Sequence, residues 1–266
     1  MKLYNATSRR AMFGDRGFAV AESVLSDSEV GDLRDAVEEV TARVRTQAER
    51  PGAGPTGSLG DGHRIQLSSR TAIQWEWAEG SREIRLLEPC DHLHPRFAAL
   101  FTDERLTKPV RTELGGDIGP FTSKLNLKRA REGSEFPWHQ DYPYWYVAVG
   151  EDAQDVVTAI VFLDDATAEN GAIRVIPGSH REGPVRRDPL DPTRFLTDPR
   201  AIDPAREEII EVPAGSIVWF GAFLVHRSSP NPSPHHRRAL LPSWQPAGRD
   251  LLKEHPFMAD RVDDLP

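Results

Sequence analysis

The chain has 266 residues, 38% of them hydrophobic, which is enough for one substantial core, and 41 acidic residues against 33 basic ones leave a net charge of −8. That balance excludes the positive field that non-specific binding to nucleic acid requires. The single cysteine, Cys90, excludes an internal disulfide framework, and no apolar run approaches the roughly 20 residues that cross a bilayer. Met1 is followed by polar residues in place of a basic and then apolar signal segment, so a single domain over 1–266 residing in the cytoplasm is expected.

In chain order, 17–20 reads as a short strand, and Ser26 with Asp27 and Glu29 offers caps and acids ahead of a helix running to about Glu49. Val30, Leu33, Val37, Val40 and Val44 recur at helical spacing and give that helix one apolar stripe. The proline- and glycine-rich stretch 51–58 reads as a loop, and 50–62 is a candidate lid. His94-Pro95 opens a second helical region through Leu100, and 103–114 forms another that stops at Gly115-Gly116. From there the pattern becomes strand-like at 121–128, 156–163, 172–176, 208–212, 216–220 and 238–241, with turn signals at Asn170-Gly171, Pro177-Gly178 and Ala214-Gly215. The proline- and charge-rich segment 181–206 reads as an excursion over the barrel mouth and a second candidate lid. Helices first and short strands after predict a mainly β fold. We expect a double-stranded β-helix (a cupin-like jelly roll) over about 117–246, buttressed by N-terminal α-helices within about 22–116.

His139-Gln140-Asp141, followed by His226 and Arg237, carries the chemistry. In an extended strand the side chains of His139 and Asp141 point the same way while Gln140 points away, so one imidazole and one carboxylate can grip one cation. His226 would complete a two-histidine, one-carboxylate triad that leaves coordination positions open, the geometry of non-haem iron(II) oxygenases. An arginine presents a planar fork that matches a carboxylate. Arg237 and Arg238 must face opposite sides of a strand, and alternation alone does not choose between them, because Ala239 and Leu241 accompany one face and Leu240 the other.

The chain resembles the phytanoyl-CoA dioxygenase (PhyH) family of Fe(II)/2-oxoglutarate-dependent oxygenases. The resemblance rests on Trp138-His139-Gln140-Asp141, on Leu163-Asp164-Asp165 leading to Glu169-Asn170-Gly171, on Val175-Ile176-Pro177-Gly178-Ser179-His180, and on His226-Arg227-Ser228 ahead of Arg237. It implies that His139, Asp141 and His226 bind iron(II) and that Arg237, eleven residues past His226, binds the far carboxylate of 2-oxoglutarate. It also implies that Ser228 and Asn126 contact this cosubstrate, and that O2 and 2-oxoglutarate are converted to CO2 and succinate while a small or medium organic metabolite is hydroxylated. Halogenases resembling the family have glycine or alanine where Asp141 stands, so halogenation is not expected. Desaturation, epimerisation and ring closure are the alternative outcomes.

The aromatic cluster Tyr142, Tyr144 and Trp145 beside the metal motif offers a substrate wall, with barrel packing as the competing explanation. Ectoine hydroxylases of the same family also carry a tryptophan six residues after the first histidine, where Trp145 stands, but the residues around it here depart from their pattern. Lys124 and Thr122 share a strand face with Asn126 and Lys128, so some of these should line the barrel and meet a polar or anionic group. Two other classes compete. A cupin-like jelly roll could bind metal or ligand without oxidation, and a zinc hydrolase could use the same ligands with Glu135 as base. A rival metal site at Cys90, His92 and His94 is weakened by the helix beginning at Pro95, while His180, His235 and His236 read as turn and loop residues.

Overall fold

The computed structural model describes residues 13–54, 56–58, 64–68, 70–76, 81–191 and 195–252. Strand β1 (Phe18–Ala21) leads into helix α1 (Asp27–Ala48), whose amino end is closed by a capping box. Ser26 Oγ accepts from the Glu29 backbone N–H at 3.3 Å while the Ser26 N–H donates to the Glu29 carboxylate at 2.8 Å. The stripe Val30, Leu33, Val37, Val40 and Val44 is buried along its whole length. Each such side chain contributes about 1.5–3 kcal/mol of apolar burial.

Four strands that the sequence pattern does not announce follow: β2 (Thr56–Ser58), β3 (Arg64–Ser68), β4 (Thr71–Trp75) and β5 (Ile84–Glu88). They add strands to the amino-terminal part, where the sequence pattern predicts helices and one short strand. The loop expected at 51–58 ends in β2, and 55 and 59–63 of the candidate lid lie outside the described residues. Helix α2 (Pro95–Ala99) has Pro95 in its first turn, and α3 (Glu104–Leu114), capped by Asp103, stops at Gly115 in a left-handed conformation. Then come β6 (Ile118–Lys128), β7 (Phe136–His139), α4 (Asp141–Val149), β8 (Val157–Phe162), β9 (Ile173–Val175), β10 (Glu208–Ile209), β11 (Ile217–Gly221), β12 (His226–Ser228) and β13 (Arg237–Pro246).

The pairings are antiparallel, in one nine-stranded sheet ordered β1-β11-β8-β13-β6-β5-β4-β3-β2 and a four-stranded sheet ordered β10-β9-β12-β7. The strand expected over 208–212 is cut to Glu208–Ile209, with Val212 reduced to an isolated bridge to Ala166. The large sheet is buried on both faces. Val161, Ile217, Trp219 and Leu240 pack towards α1 and its neighbours, while Ile160, Phe162, Val218, Phe220, Ala239 and Leu241 fill the space between the sheets. Alternation along each strand therefore sorts residues between a helix-facing core and a jelly-roll interior. Among the described residues no helix is long and apolar enough to cross a membrane.

The capping box generates a stability prediction. Ser26→Ala should lower the unfolding free energy by about 1 kcal/mol, read as a lower urea midpoint with unchanged slope. Hydrogen bonds from Arg105 and Ser26 hold the Glu29 carboxyl down at about 2. Its stabilisation is thus complete above the ordinary carboxylate range and lost as pH falls towards 2, so the deficit of Glu29→Gln relative to the parent should vanish in acid.

Candidate active site

Antiparallel pairing of β7 with β12 sets His139 directly opposite His226. Their rings lie 4.1 Å apart, centroid to centroid. The strand expected to run through Asp141 ends one ligand earlier, because Asp141 is the first residue of α4. Gln140 keeps an extended backbone (φ −113°, ψ 147°), and that one extended residue is enough to hold His139 and Asp141 on the same side. Ligand atoms of His139, Asp141 and His226 all lie within 4.8 Å of one another. Placing Asp141 in the first turn of α4 also sets its carboxylate against the positive end of the helix.

Each imidazole is oriented by its own chain. His139 Nδ1 lies 2.7 Å from the Pro137 carbonyl and His226 Nδ1 lies 2.9 Å from the Leu224 carbonyl. A carbonyl only accepts, so both Nδ1 atoms carry the proton and both Nε2 lone pairs are left for a cation. Burial, reinforced by repulsion from His226, holds His139 well below the usual histidine range, and burial lowers His226 although Asp141 opposes it. Two neutral imidazoles and one carboxylate fit a divalent transition metal with positions left open on the far side. Gln140 faces the other way, its amide donating to the Gly183 and Phe223 carbonyls and accepting from the Val185 N–H.

The triad stands on the wall of a cavity of about 160 Å³. At one end are Arg237, Ser228 and Asn126. Because Ala239 and Leu241 face the jelly-roll interior, Arg237 enters it, while Arg238 faces the helices and forms a bidentate pair with Asp164 at 2.8 and 2.9 Å. Arg237 is 4% exposed, its Nε has no hydrogen-bond partner, and no carboxylate pairs with it among the described residues. Burial lowers its guanidinium to about 10, so it is still a cation at neutral pH. The Asn126 Oδ1 is likewise buried without a partner among the described residues. Two polar groups left wanting at one end of a cavity mark a place for a polar ligand.

The other end is lined by Lys124, Tyr144 and Trp145, together with Phe195 and Leu196. The Lys124 ammonium makes no hydrogen bond among the described residues, sits 4.6 Å from the Tyr144 ring centroid and 5.1 Å from that of Trp145, and lies 4.0 Å from Glu88 Oε1. Glu88 accepts from the Tyr144 hydroxyl at 2.8 Å and from Thr122 at 3.4 Å. Thr122 therefore sits behind the wall as a support for Glu88. Tyr142 also stands off the wall, packed on Phe223 and Tyr146 with ring centroids 4.5 and 5.5 Å away. Segment 181–206 does reach the cavity, through Phe195 and Leu196, and is fastened there by the Thr197 N–H donating to the Trp138 carbonyl at 2.8 Å.

Glu135 does not line the cavity, so the zinc-hydrolase alternative loses the base named for it. His92 bonds Thr71, His94 caps α2, and Cys90 is buried with its thiol pushed far up, so these three do not gather into a metal site. His180, His235 and His236 also stand away from the cavity wall. Sequence reasoning missed Gln74, Arg85 and Glu88 of β4 and β5, which line the same cavity. Their signal is present in hindsight as charged residues interrupting the apolar run Ile84–Glu88.

Comparison with known proteins agrees with this geometry. The phytanoyl-CoA dioxygenase (PhyH) family pattern matches residues 13–239. L-proline trans-4-hydroxylase of Streptomyces griseoviridis is 35% identical over 61% of this chain and 68% of its own length. Ectoine dioxygenase of Bordetella parapertussis is 29% identical over 59% of this chain, which spans 56% of that relative. The crystal structure of EctD from S. alaskensis with 2-oxoglutarate and 5-hydroxyectoine superposes with a TM-score of 0.67 at 25% identity, covering 96% of this chain and 82% of that one.

The two neighbouring arginines should respond oppositely to removal. Arg238→Met takes two side-chain hydrogen bonds from the Asp164 carboxylate, which keeps Arg34 at 3.2 Å, and should cost about 2 kcal/mol of stability. Arg237→Met removes a buried cation without a counter-ion and should leave the urea midpoint unchanged or raised.

Proposed function

The chain belongs to the phytanoyl-CoA dioxygenase family, and from that premise we propose that it is a non-haem Fe(II)/2-oxoglutarate-dependent dioxygenase that hydroxylates a small organic metabolite. The observation that carries this reading is the joint placement of His139, Asp141 and His226, their ligand atoms within 4.8 Å of one another, on the wall of a cavity that also holds the Arg237 guanidinium, unpaired among the described residues. His139, Asp141 and His226 would hold the metal from one side. Iron(II), when bound, supplies the oxidation in which 2-oxoglutarate and O2 become succinate and CO2 and the substrate gains an oxygen atom.

The chain's own residues position the reactants. Arg237 takes the far carboxylate of 2-oxoglutarate with two charge-assisted hydrogen bonds, flanked by Ser228 and by the side-chain amide of Asn126. Ile160, Phe220 and Leu241 beside them keep water out. The substrate lies between Tyr144, Trp145 and Lys124, the last offering its donors to an anionic or polar group. Thr122 acts through Glu88, and Tyr142 acts by packing behind the wall. The carboxylate of Asp141 would serve as the third protein ligand, which halogen transfer needs absent. Cytoplasmic residence is part of the same reading, since a reducing compartment keeps iron(II) available.

An anaerobic titration of the iron(II)-loaded protein with 2-oxoglutarate should develop the visible charge-transfer band of the chelate; a ligand-binding jelly roll that does not oxidise would show none. Succinate release over a panel of metabolites, with the product's mass read alongside, then separates hydroxylation from desaturation, epimerisation and ring closure. His139→Ala and Asp141→Ala should reduce succinate release to background, and retained turnover in either would sink the proposal. Arg237→Lys should raise the KM for 2-oxoglutarate about tenfold, as expected when a bidentate grip becomes a point charge.

A further inference from the structure

Behind the cosubstrate end of the cavity, β6 and β13 pair so that Lys128 stands opposite Arg237. Lys128 is 2% exposed, and its amine donates to two backbone carbonyls, Ser134 and Ser229, each at 2.7 Å. These carbonyls belong to different loops. Ser229 follows Ser228, and Ser134 precedes the strand that carries His139. The stem of Lys128 is enclosed by Gly133 and Gly171, where an added Cβ would come within 2.5 Å of Lys128 carbons. No alanine fits either place without displacing the lysine.

Burial, with repulsion from Arg237 on β13 and Arg85 on β5, pushes the amine down to about 6, while Glu76 beyond β4 and Glu135 ahead of β7 pull the other way. Burial thus favours the neutral amine in the free protein, whose two N–H groups are both used by the two carbonyls. A dianion seated on Arg237 reverses the local balance. We propose that Lys128 is a positioning residue that ties the Ser134 and Ser229 loops behind Arg237, and that it takes one proton from solvent when 2-oxoglutarate binds, becoming a second cation for that ligand.

This inference rests on the 2-oxoglutarate reading of the site, and the test separates the two. The iron(II)-loaded protein is titrated anaerobically with 2-oxoglutarate at pH values from about 6 to 8.5, following the charge-transfer band. Absence of any band in the parent protein refutes the oxygenase reading itself. With a band present, uptake of one proton predicts that Kd rises with pH, approaching tenfold per unit at its steepest. In Lys128→Met, Kd should be raised at least about tenfold at pH 6 and should lose this slope. Glu76→Gln should keep the slope, because Glu76 also faces the lysine. A flat profile in the parent, a slope that survives in Lys128→Met, or one that disappears in Glu76→Gln overturns the proposal. Should Lys128→Met fail to fold, the parent and Glu76→Gln profiles decide it between them.

Discussion

One backbone register underlies everything else in this protein: the antiparallel pairing that puts His139 across from His226. Neighbouring strands are about 4.8 Å apart, so two imidazoles at opposed positions on the same face converge on one point without help from any loop. Asp141 joins them because a single extended residue separates it from His139. The hydrogen bonds from each Nδ1 to a carbonyl two residues back along the chain then fix which nitrogen faces inward. A slip of one residue in this pairing would turn one imidazole to the outside and dissolve the site.

The jelly roll around that register solves a second problem, which is how to keep charged groups inside a fold. Arg237 is tolerated because the nine-stranded sheet is covered on its other face by α1 and supported there by the Arg238, Asp164 and Glu38 network, so the polar interior does not have to supply the stability. The apolar core sits mostly on the helix side, and the cavity side is left free to carry chemistry. Division of labour between the two faces of one sheet explains why adjacent residues on one strand, Arg237 and Arg238, have unrelated roles.

Much of this was legible in the sequence where local signals agree. The α1 stripe, the Ser26 cap, the Gly115 stop, and the strands with β-branched runs all show themselves through periodicity. So did the spacing of His139, Asp141, His226 and Arg237. What was not legible has a common cause. Strands β3 to β5 carry Gln66, Gln74, Arg85 and Glu88 at buried positions, and those polar residues break the apolar pattern by which a strand is recognised. The part of the cavity wall formed by Gln74, Arg85 and Glu88 was thus hidden by the very residues that furnish it. Alternation also failed to choose between Arg237 and Arg238, because both faces of β13 are buried and hydrophobicity cannot label inside and outside. The distinction between Tyr144 on the wall and Tyr142 behind it depends on the rotation of a helix, α4, that the sequence pattern did not announce.

The attachment of 195–197 to β7 has a bearing on how molecules come and go. Leu196 forms a β-bridge to His139, and the neighbouring Thr197 is bonded to Trp138. An outward swing of this wall would have to break that bridge and the Thr197 bond along the outer edge of β7, whose other edge pairs with β12. The wall at Phe195 and Leu196 behaves less like a door than like part of the frame.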